Sequence, residues 1–306
     1  MKNLLKEVTV VITTFYAGNK LEECISKIPK NTNILIIDNA GEKINKNYYE
    51  KKFNNLYYHL SAENLGVPRS YSLANKLVKT RYMFNTQPDV SIKENCIENL
   101  LAKVNSYPNA IILSPTIFHN ENYLVDGDYK ILKFRDNKVN FHAKKVISNL
   151  YNSPPIGDLC VDAVTGTAML IDRSKLKIID DWDKNIFNYF EDMDLCLRSR
   201  LQGFEIIKIR SAEVDHLPFS SHDNKHEDEL NYSRNWHQSW SYFYFKKKHE
   251  RKLTTYIWGF WVLAKSSIKT IIYFFINKQK YKTHKAKTLG FYFSLLNKKS
   301  SFRPKI

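Results

Sequence analysis

Residues 7–41 read EVTVVITTFYAGNKLEECISKIPKNTNILIIDNAG, and the fold class follows from them. The opening run, 7–15, is rich in β-branched residues and continuous in apolarity. That is the pattern of a strand buried on both faces of a parallel sheet, since a strand with one wet face would alternate. Gly18 and Asn19 break the run. Over 19–28, Leu21, Cys24, Ile25 and Ile28 recur at helical spacing, and Pro29 forbids extension. NILIIDNAG is then a second buried strand, ending at Asp38. Strand, helix and strand in so short a stretch form a βαβ unit, whose crossover is right-handed.

The same alternation continues outward. A strand and loop occupy NLYYHLSAENLG (55–66), a helix begun by Pro68 covers 67–78, and RYMFNTQPDV (81–90) holds a short strand. A helix over 93–105 and a strand over 110–114 complete an α/β nucleotide-binding layout. From 116 to 153 the pattern dissolves into Asn- and Lys-rich sequence, with a hairpin expected in KILKFRDNKVNFH (130–142) turning at Asp136 and Asn137. This stretch reads as a variable insertion. Order returns with strand-like segments around Gly166, a helix at EDMDLCLRSRLQG (191–203) closed by Gly203, and a final strand at FEIIKIRSAEVDH (204–216).

Composition narrows the function classes. At 306 residues, with 43% hydrophobic and 25% charged residues, the chain suits one large domain with an appendage. Cys24, Cys96, Cys160 and Cys196 form no CxxC pair, so neither a zinc knuckle nor a disulfide framework is indicated, and a reducing cytosol suits them. The N-terminal MKNLLKEVTVVITTF lacks a small-residue cleavage site and reads as a first strand. The formal net charge is +16, but residues 246–306 hold sixteen Lys and Arg against one acid, Glu250, which leaves the body near neutral. Such a body does not wrap a duplex, so no nucleic-acid partner is expected, whereas a basic, aromatic end suits an anionic surface.

On a helix over 253–277, Tyr256, Ile257, Phe260, Trp261, Ile268 and Phe275 belong to one broad face, and Thr254, Thr255, Lys265, Ser266, Lys269 and Thr270 to the other. An apolar face opposed to a basic one marks a helix lying in a membrane interface. A spanning helix is disfavoured because Lys265 and Lys269 near its middle would each cost about 2.5 to 3.5 kcal/mol. The expected organisation is therefore a catalytic domain over 1–245 and a basic amphipathic membrane-associating tail over 246–306. The expected location is cytoplasmic and peripheral, on the inner face of the cell membrane.

In an open α/β sheet, ligands bind beyond the carboxyl ends of the strands. Thr13, Thr14 and Phe15 end the first strand, Asp38 and Asn39 the second, Glu63-Asn64-Leu65-Gly66 follows the third, and Gln87-Pro88-Asp89 the fourth. Each alone is a common cap or turn; their recurrence at four successive strand ends is the signal. Glu191, Asp192 and Asp194 at a helix start are, taken alone, acids favoured by the helix dipole.

VVITTF, IIDNAG, ENLGVPRSYSLA, NTQPDV, VDAVTGTAMLIDR, FNYFEDMDLCLRSRLQGF and AEVDH occur in the order used by the GT-A fold family 2 glycosyltransferases. The chain resembles that family over about residues 7 to 250, in particular its bacterial rhamnosyltransferase-like and galactofuranosyltransferase-like branch. The resemblance implies a GT-A fold, a Rossmann-like nucleotide-binding mixed sheet flanked by helices. It implies an inverting transferase that moves one sugar from a nucleotide diphosphate sugar donor to a glycan or lipid-linked acceptor. Carried over, it places Asp38 on the base or ribose with Thr13 and Phe15 lining the same pocket, Asn64, Arg69 and Gln87 near the donor, and Gly166 where backbone approaches donor sugar or acceptor. Asp192, beside Glu191, becomes the general base that takes the acceptor hydroxyl proton.

The family's usual metal motif has two acids separated by one residue; here Gln87-Pro88-Asp89 keeps one. With His216 as second ligand, the resemblance implies a divalent cation, Mn2+ or Mg2+, that stabilises the departing diphosphate. His216 is otherwise a satisfied strand-end histidine, Gly166 a purely structural glycine, and a second metal site among His222, His226 and His237 competes with a solvated loop. Self-association of the chain is left open.

Two other classes compete. A nucleotidyltransferase would want a Gly-rich phosphate loop with a basic residue after the first strand, of which TTFYAGNK is a poor version. A silent nucleotide-sugar-binding module would have no use for Asp89, Asp192 and His216 together. A processive synthase would carry several spans and a QxxRW motif, where this chain has SRNWHQSW.

Overall fold

The computed structural model describes residues 4–41, 43–123, 128–132, 134–135, 138–139, 153–216 and 226–304. They fall into two compact units, one drawn from 1–132, 145–183 and 192–223, the other from 133–144, 184–191 and 224–306.

The first unit is a mixed sheet with helices. Its strands and helices begin β1 (Val8–Thr14), α1 (Asn19–Ser26), β2 (Asn33–Asp38), α2 (Lys43–Lys52), β3 (Leu56–Leu60), α3 (Gly66–Leu77), β4 (Tyr82–Thr86), β5 (Val90–Ile92), α4 (Cys96–Lys103) and β6 (Ala110–His119). The order along the sheet places β3, β2, β1 and β4 side by side and parallel, as the buried apolar runs require. Beyond β6 come β7 (Asn122–Tyr123) and β8 (Tyr129–Lys130), then β9 (Phe134–Arg135) and β10 (Lys138–Val139) of the other unit. The first unit resumes with β11 (Leu159–Val161), β12 (Ala163–Val164), β13 (Ala168–Asp172), α5 (Arg173–Leu176), α6 (Glu191–Leu201) and β14 (Glu205–His216). β13 enters antiparallel between β4 and β6, and β14 lies parallel to β6, which makes the sheet mixed.

Val8, Val10, Ile12, Ile34, Ile36 and Phe84 project from one sheet face onto Leu21, Cys24 and Ile25 of α1 and Leu100 and Leu101 of α4. A side chain buried as fully as Leu100 contributes about 1.5–3 kcal/mol. The helix expected over 93–105 is shorter, because Asn95 adopts left-handed backbone (φ 58°) and α4 starts only at Cys96. The strand expected to stop at 114 runs on to His119, since Thr116, Ile117 and Phe118 pair with Glu213, Val214 and Asp215 of β14. Of the predicted hairpin, β9 and β10 pair antiparallel, while Asp136 and Asn137 lie outside the described residues. Within the insertion, Asp128 forms a buried ion pair with Lys208. β8 pairs with β12, and Asp162 accepts hydrogen bonds from Leu132 N (2.8 Å) and Arg200 Nε (3.2 Å).

The second unit contains three helices, α7 (Glu227–His249), α8 (Lys252–Ile276) and α9 (Lys278–Leu295). The boundary expected at 245/246 falls inside α7, because Trp236, Trp240 and Phe243 turn inward onto Ala286, Phe293 and Phe291 of α9. Gly290 lets α9 lie directly on the α7 backbone: a Cβ there would sit 2.9 Å from the Trp236 carbonyl carbon. Both ring nitrogens of His237 are taken, Nε2 by Phe302 O (3.0 Å) and Nδ1 by Ser300 Oγ (2.9 Å), so this histidine fastens the C-terminal segment and holds no metal. His226 sits ahead of α7, and His222 lies outside the described residues.

Candidate active site

The carboxyl ends of β1, β2 and β3 frame a cavity of about 290 Å³. Thr14, Tyr16, Asn19 and Asp38 line it, together with Tyr48, Tyr49 and Tyr58. Asp38 is held rigidly: Ala40 N donates to Oδ1 (2.8 Å) and the Tyr58 hydroxyl to Oδ2 (3.1 Å). From the end of β1 the cavity takes Thr14 and Tyr16; Thr13, on the opposite side of the strand, and Phe15, in the bend that follows it, are not among its lining residues. The tyrosines of α2 and β3 were not anticipated as site residues, although their clustering at 48–49 and 57–58 is visible in the sequence.

Asn64 closes a turn, its Oδ1 accepting from Gly66 N at 3.0 Å, and Arg69 is exposed in the first turn of α3. The loop is clamped by Asn39, whose Oδ1 accepts from Leu65 N (3.0 Å) and whose amide donates to Ser70 Oγ (3.1 Å). Asn39 thus has the organising role in this loop.

At the end of β4 the chain turns through Gln87, whose carbonyl accepts from Val90 N (3.2 Å), and starts β5. β14 pairs antiparallel with β5, setting His216 opposite Val90, and this register brings His216 Nε2 to 3.6 Å from Asp89 Oδ2. The Asp89 side chain is buried and that of His216 nearly so. An imidazole nitrogen and a carboxylate oxygen at this separation match two ligands of one cation with bonds of about 2.1 Å. Among the described residues no group of three or more His, Cys, Asp or Glu could hold a metal, so the pair would supply two ligands and leave the rest to substrate and water.

The same sheet edge carries Asp192. Its Oδ2 accepts from Gly166 N at 2.7 Å and its Oδ1 from Met193 N at 2.7 Å. Gly166 is what allows this approach, since a Cβ there would meet Asp192 Cβ at 3.4 Å and Oδ2 at 3.5 Å. The neighbouring Thr167 carbonyl accepts from Thr86 Oγ1 (3.2 Å), linking the Asp192 loop to the strand that leads to Asp89. Burial pushes the Asp192 carboxyl above the usual carboxylate range, against the pull of the two N–H donors and of the Lys130 charge. Lys130 comes from β8 in the insertion and escaped the sequence reading, because nothing in its local sequence marks it.

The other acids at this helix start divide. Asp194 is structural, paired with Arg198 Nε at 2.8 Å. Glu191 opens α6 and is buried. The two residues before it, Tyr189 and Phe190, both have left-handed backbone (φ 67° and 64°). Such strain in non-glycine residues costs on the order of 1–3 kcal/mol each and concentrates at functional sites.

Residues 9–154 match Glycosyl transferase family 2. The rhamnosyltransferase WbbL of Escherichia coli (strain K12) is 25% identical over 170 residues, 55% of this chain. The chain thus spans 62% of the length of that curated relative. Among solved structures, the mannosyltransferase PcManGT of Pyrobaculum calidifontis, in complex with GDP-Man and Mn2+, superposes with a TM-score of 0.56 at 10% identity, over 96% of this chain and 88% of that one. S. aureus TarS 1-349 gives 0.54 at 12% identity, over 94% and 81%. At such identities the superpositions establish the fold, which is GT-A, and leave the substrates to other arguments.

Proposed function

We propose that the chain, whose residues 9–154 match glycosyl transferase family 2, transfers a single sugar, rhamnose-like or another hexose. The donor is a nucleotide diphosphate sugar, and the acceptor is a hydroxyl of a glycan or lipid-linked acceptor in bacterial surface polysaccharide synthesis. The observation that carries this reading is the link Asp192–Gly166–Thr167–Thr86, which joins a buried carboxylate to the strand end that leads to Asp89, where β14 brings His216. The rhamnosyltransferase relative favours the sugar class, and the chain would work in the cytoplasm, where such donors are made.

The nucleoside enters the cavity beside Asp38, with Tyr16, Tyr48 and Tyr49 offering apolar walls to base and ribose. Asp89 and His216 would hold a divalent cation, which supplies Lewis-acid stabilisation of the leaving diphosphate. The acceptor hydroxyl gives its proton to the Asp192 carboxylate as its oxygen bonds to the anomeric carbon. The bond from that carbon to the phosphate oxygen breaks on the opposite side, its electron pair leaving with the diphosphate, so configuration inverts. A carboxyl raised by burial is the stronger base for this step, provided it is ionised at working pH. The Gly166 N–H, donating to Oδ2, fixes its direction.

The test is Asp192→Asn, which keeps an oxygen for Gly166 N–H and removes the base. Transfer falls by about 10²–10⁴-fold while nucleotide affinity stays within about twofold. Normal turnover in this variant would remove Asp192 from the chemistry. Pyrophosphate release from a sugar phosphate and nucleoside triphosphate would instead mark a nucleotidyltransferase.

A further inference from the structure

Helix α8 is apolar on two sides. Toward α7 and α9 it sets small and hydroxylated residues among Tyr256, Trp258, Val262 and Leu263, which pack on Phe243, Phe291 and Leu295. Thr255 and Gly259 are buried, Gly259 so close beneath Phe243 that a Cβ would lie 2.6 Å from its ring. Ser266 and Thr270 share hydrogen bonds with Thr288 of α9 at 2.6 and 3.0 Å. The opposite side presents Leu253, Phe260, Trp261, Ile268 and Phe275, each between 57% and 79% exposed. At 3.6 residues per turn, Leu253, Ile257, Phe260, Ile268, Ile271 and Phe275 fall within about 80° of arc, an unbroken apolar stripe. Among the described residues nothing covers it. In water so broad an apolar stripe is costly to leave uncovered, whereas a helix lying against lipid presents one.

Charge identifies the occupant. Lys265 and Lys269 project along one flank of the stripe, and α9, packed alongside, adds Lys278, Lys280, Lys285 and Lys287. The one acid in 246–306, Glu250, is buried against Lys246 at 2.6 Å and does not offset them. We propose that the outer face of α8 docks into an anionic lipid leaflet, with the helix axis in the plane of the membrane. The length and apolarity of α8 would also suffice for a span. Its partner forbids that, since α9 runs antiparallel beside it with Trp258 against Phe291, Tyr273 stacked on His284 and Phe274 edge-on to Tyr281. A spanning α8 would draw the lysines of α9 into the hydrocarbon; an in-plane α8 buries its stripe and leaves them among the headgroups.

The docking stands on α8 and α9 alone; only its use, bringing the site to a lipid-borne acceptor, rests on the transferase reading. The full chain should co-sediment with phosphatidylcholine vesicles containing phosphatidylglycerol, with a blue shift of tryptophan emission. High salt should weaken this binding without abolishing it. Phe260→Ser with Trp261→Ser should lower the salt-resistant partition by roughly tenfold or more. Lys265→Gln with Lys269→Gln should cut binding to the anionic vesicles and leave the residual binding to pure phosphatidylcholine unchanged. Absence of binding to anionic vesicles at low salt overturns the proposal. So does a chain that is dimeric in solution and becomes monomeric with the Phe260/Trp261 change, which would make the stripe a self-association surface. Nucleotide affinity in lipid-free buffer is read in parallel: its loss with docking intact would sink the transferase reading alone.

Discussion

Removing either member of the Asp128–Lys208 pair should destabilise the first unit, and the two losses should respond to pH in opposite directions. Both side chains are buried. Asp128 also accepts from Ile117 N and from the Tyr123 hydroxyl, each at 3.3 Å, and Lys208 donates to Ser114 Oγ at 3.2 Å and to Pro115 O. Asp128→Asn keeps one acceptor oxygen, for Ile117 N, turns the other position into a donor that faces the Tyr123 hydroxyl, and strands the ammonium, at a cost of about 3–5 kcal/mol. Burial already holds the Lys208 pKa down while Asp128 opposes it. Without Asp128 it falls further, so the folded variant favours neutral lysine and its deficit shrinks as pH rises from about 7 to 9. Lys208→Met strands the carboxylate, whose pKa burial holds above its ordinary value while Lys208 opposes it. Without Lys208 it rises further; a folded pKa above the unfolded one stabilises at low pH and is lost as pH rises through it. The Lys208→Met deficit therefore shrinks from about pH 7 toward 5. The double variant Asp128→Asn/Lys208→Met, with no buried charge, should lie within about 1 kcal/mol of the parent. Urea unfolding of the four proteins at three pH values decides the matter. Equal pH slopes for the two single variants, or a double variant as unstable as either, would refute the reasoning.

Lys130→Met removes the charge that opposes burial at Asp192, so the acid limb of the transfer rate, where the base becomes protonated, should move to higher pH; an unmoved limb would detach Lys130 from the site. Chelation of divalent cations should silence transfer, and Asp89→Ala should weaken nucleoside diphosphate binding by roughly tenfold with the fold unchanged; full activity in chelator would show that no cation is used. Gly290→Ala gains about 1 kcal/mol of helix propensity but drives a methyl into the Trp236 backbone, so the second unit should lose about 2 kcal/mol net; a raised melting temperature would contradict the α7–α9 contact.

The parallel half of the sheet was legible because buried strands and amphipathic helices have distinct periods, and β1, α1 and β2 lie where 7–41 place them. Helix α2 was not, since KINKNYYEKK is polar almost all round and, among its described side chains, the buried aromatic is Tyr49. β6 was cut short because Pro115 and the polar sequence after it mimic a strand end, whereas the pairing partner that extends it comes 97 residues later at Thr116↔Glu213. For the site, strand-end position marked Asp38 and Asp89, while the role of Asn39 in the 64–66 loop and the charge of Lys130 depend on contacts no local pattern encodes. The apolar face of α8 was readable from its composition, whereas the seat that Gly259 gives Phe243 and the contact of Ser266 with Thr288 were not, because both join residues far apart in the chain.

The pairing of β14 with β5 sets an order of assembly. The cavity beside Asp38 draws on residues 14–58, a contiguous stretch of βαβ units that closes through short loops and can form early as the chain leaves the ribosome. Asp89 meets His216 only once β14 has been made and has found β5, the most distant pairing in the sheet. On the proposed reading, a nascent chain would acquire a place for the nucleoside long before the Asp89–His216 pair. A late, high-contact-order pairing would then keep an unfinished polypeptide from acting on a donor.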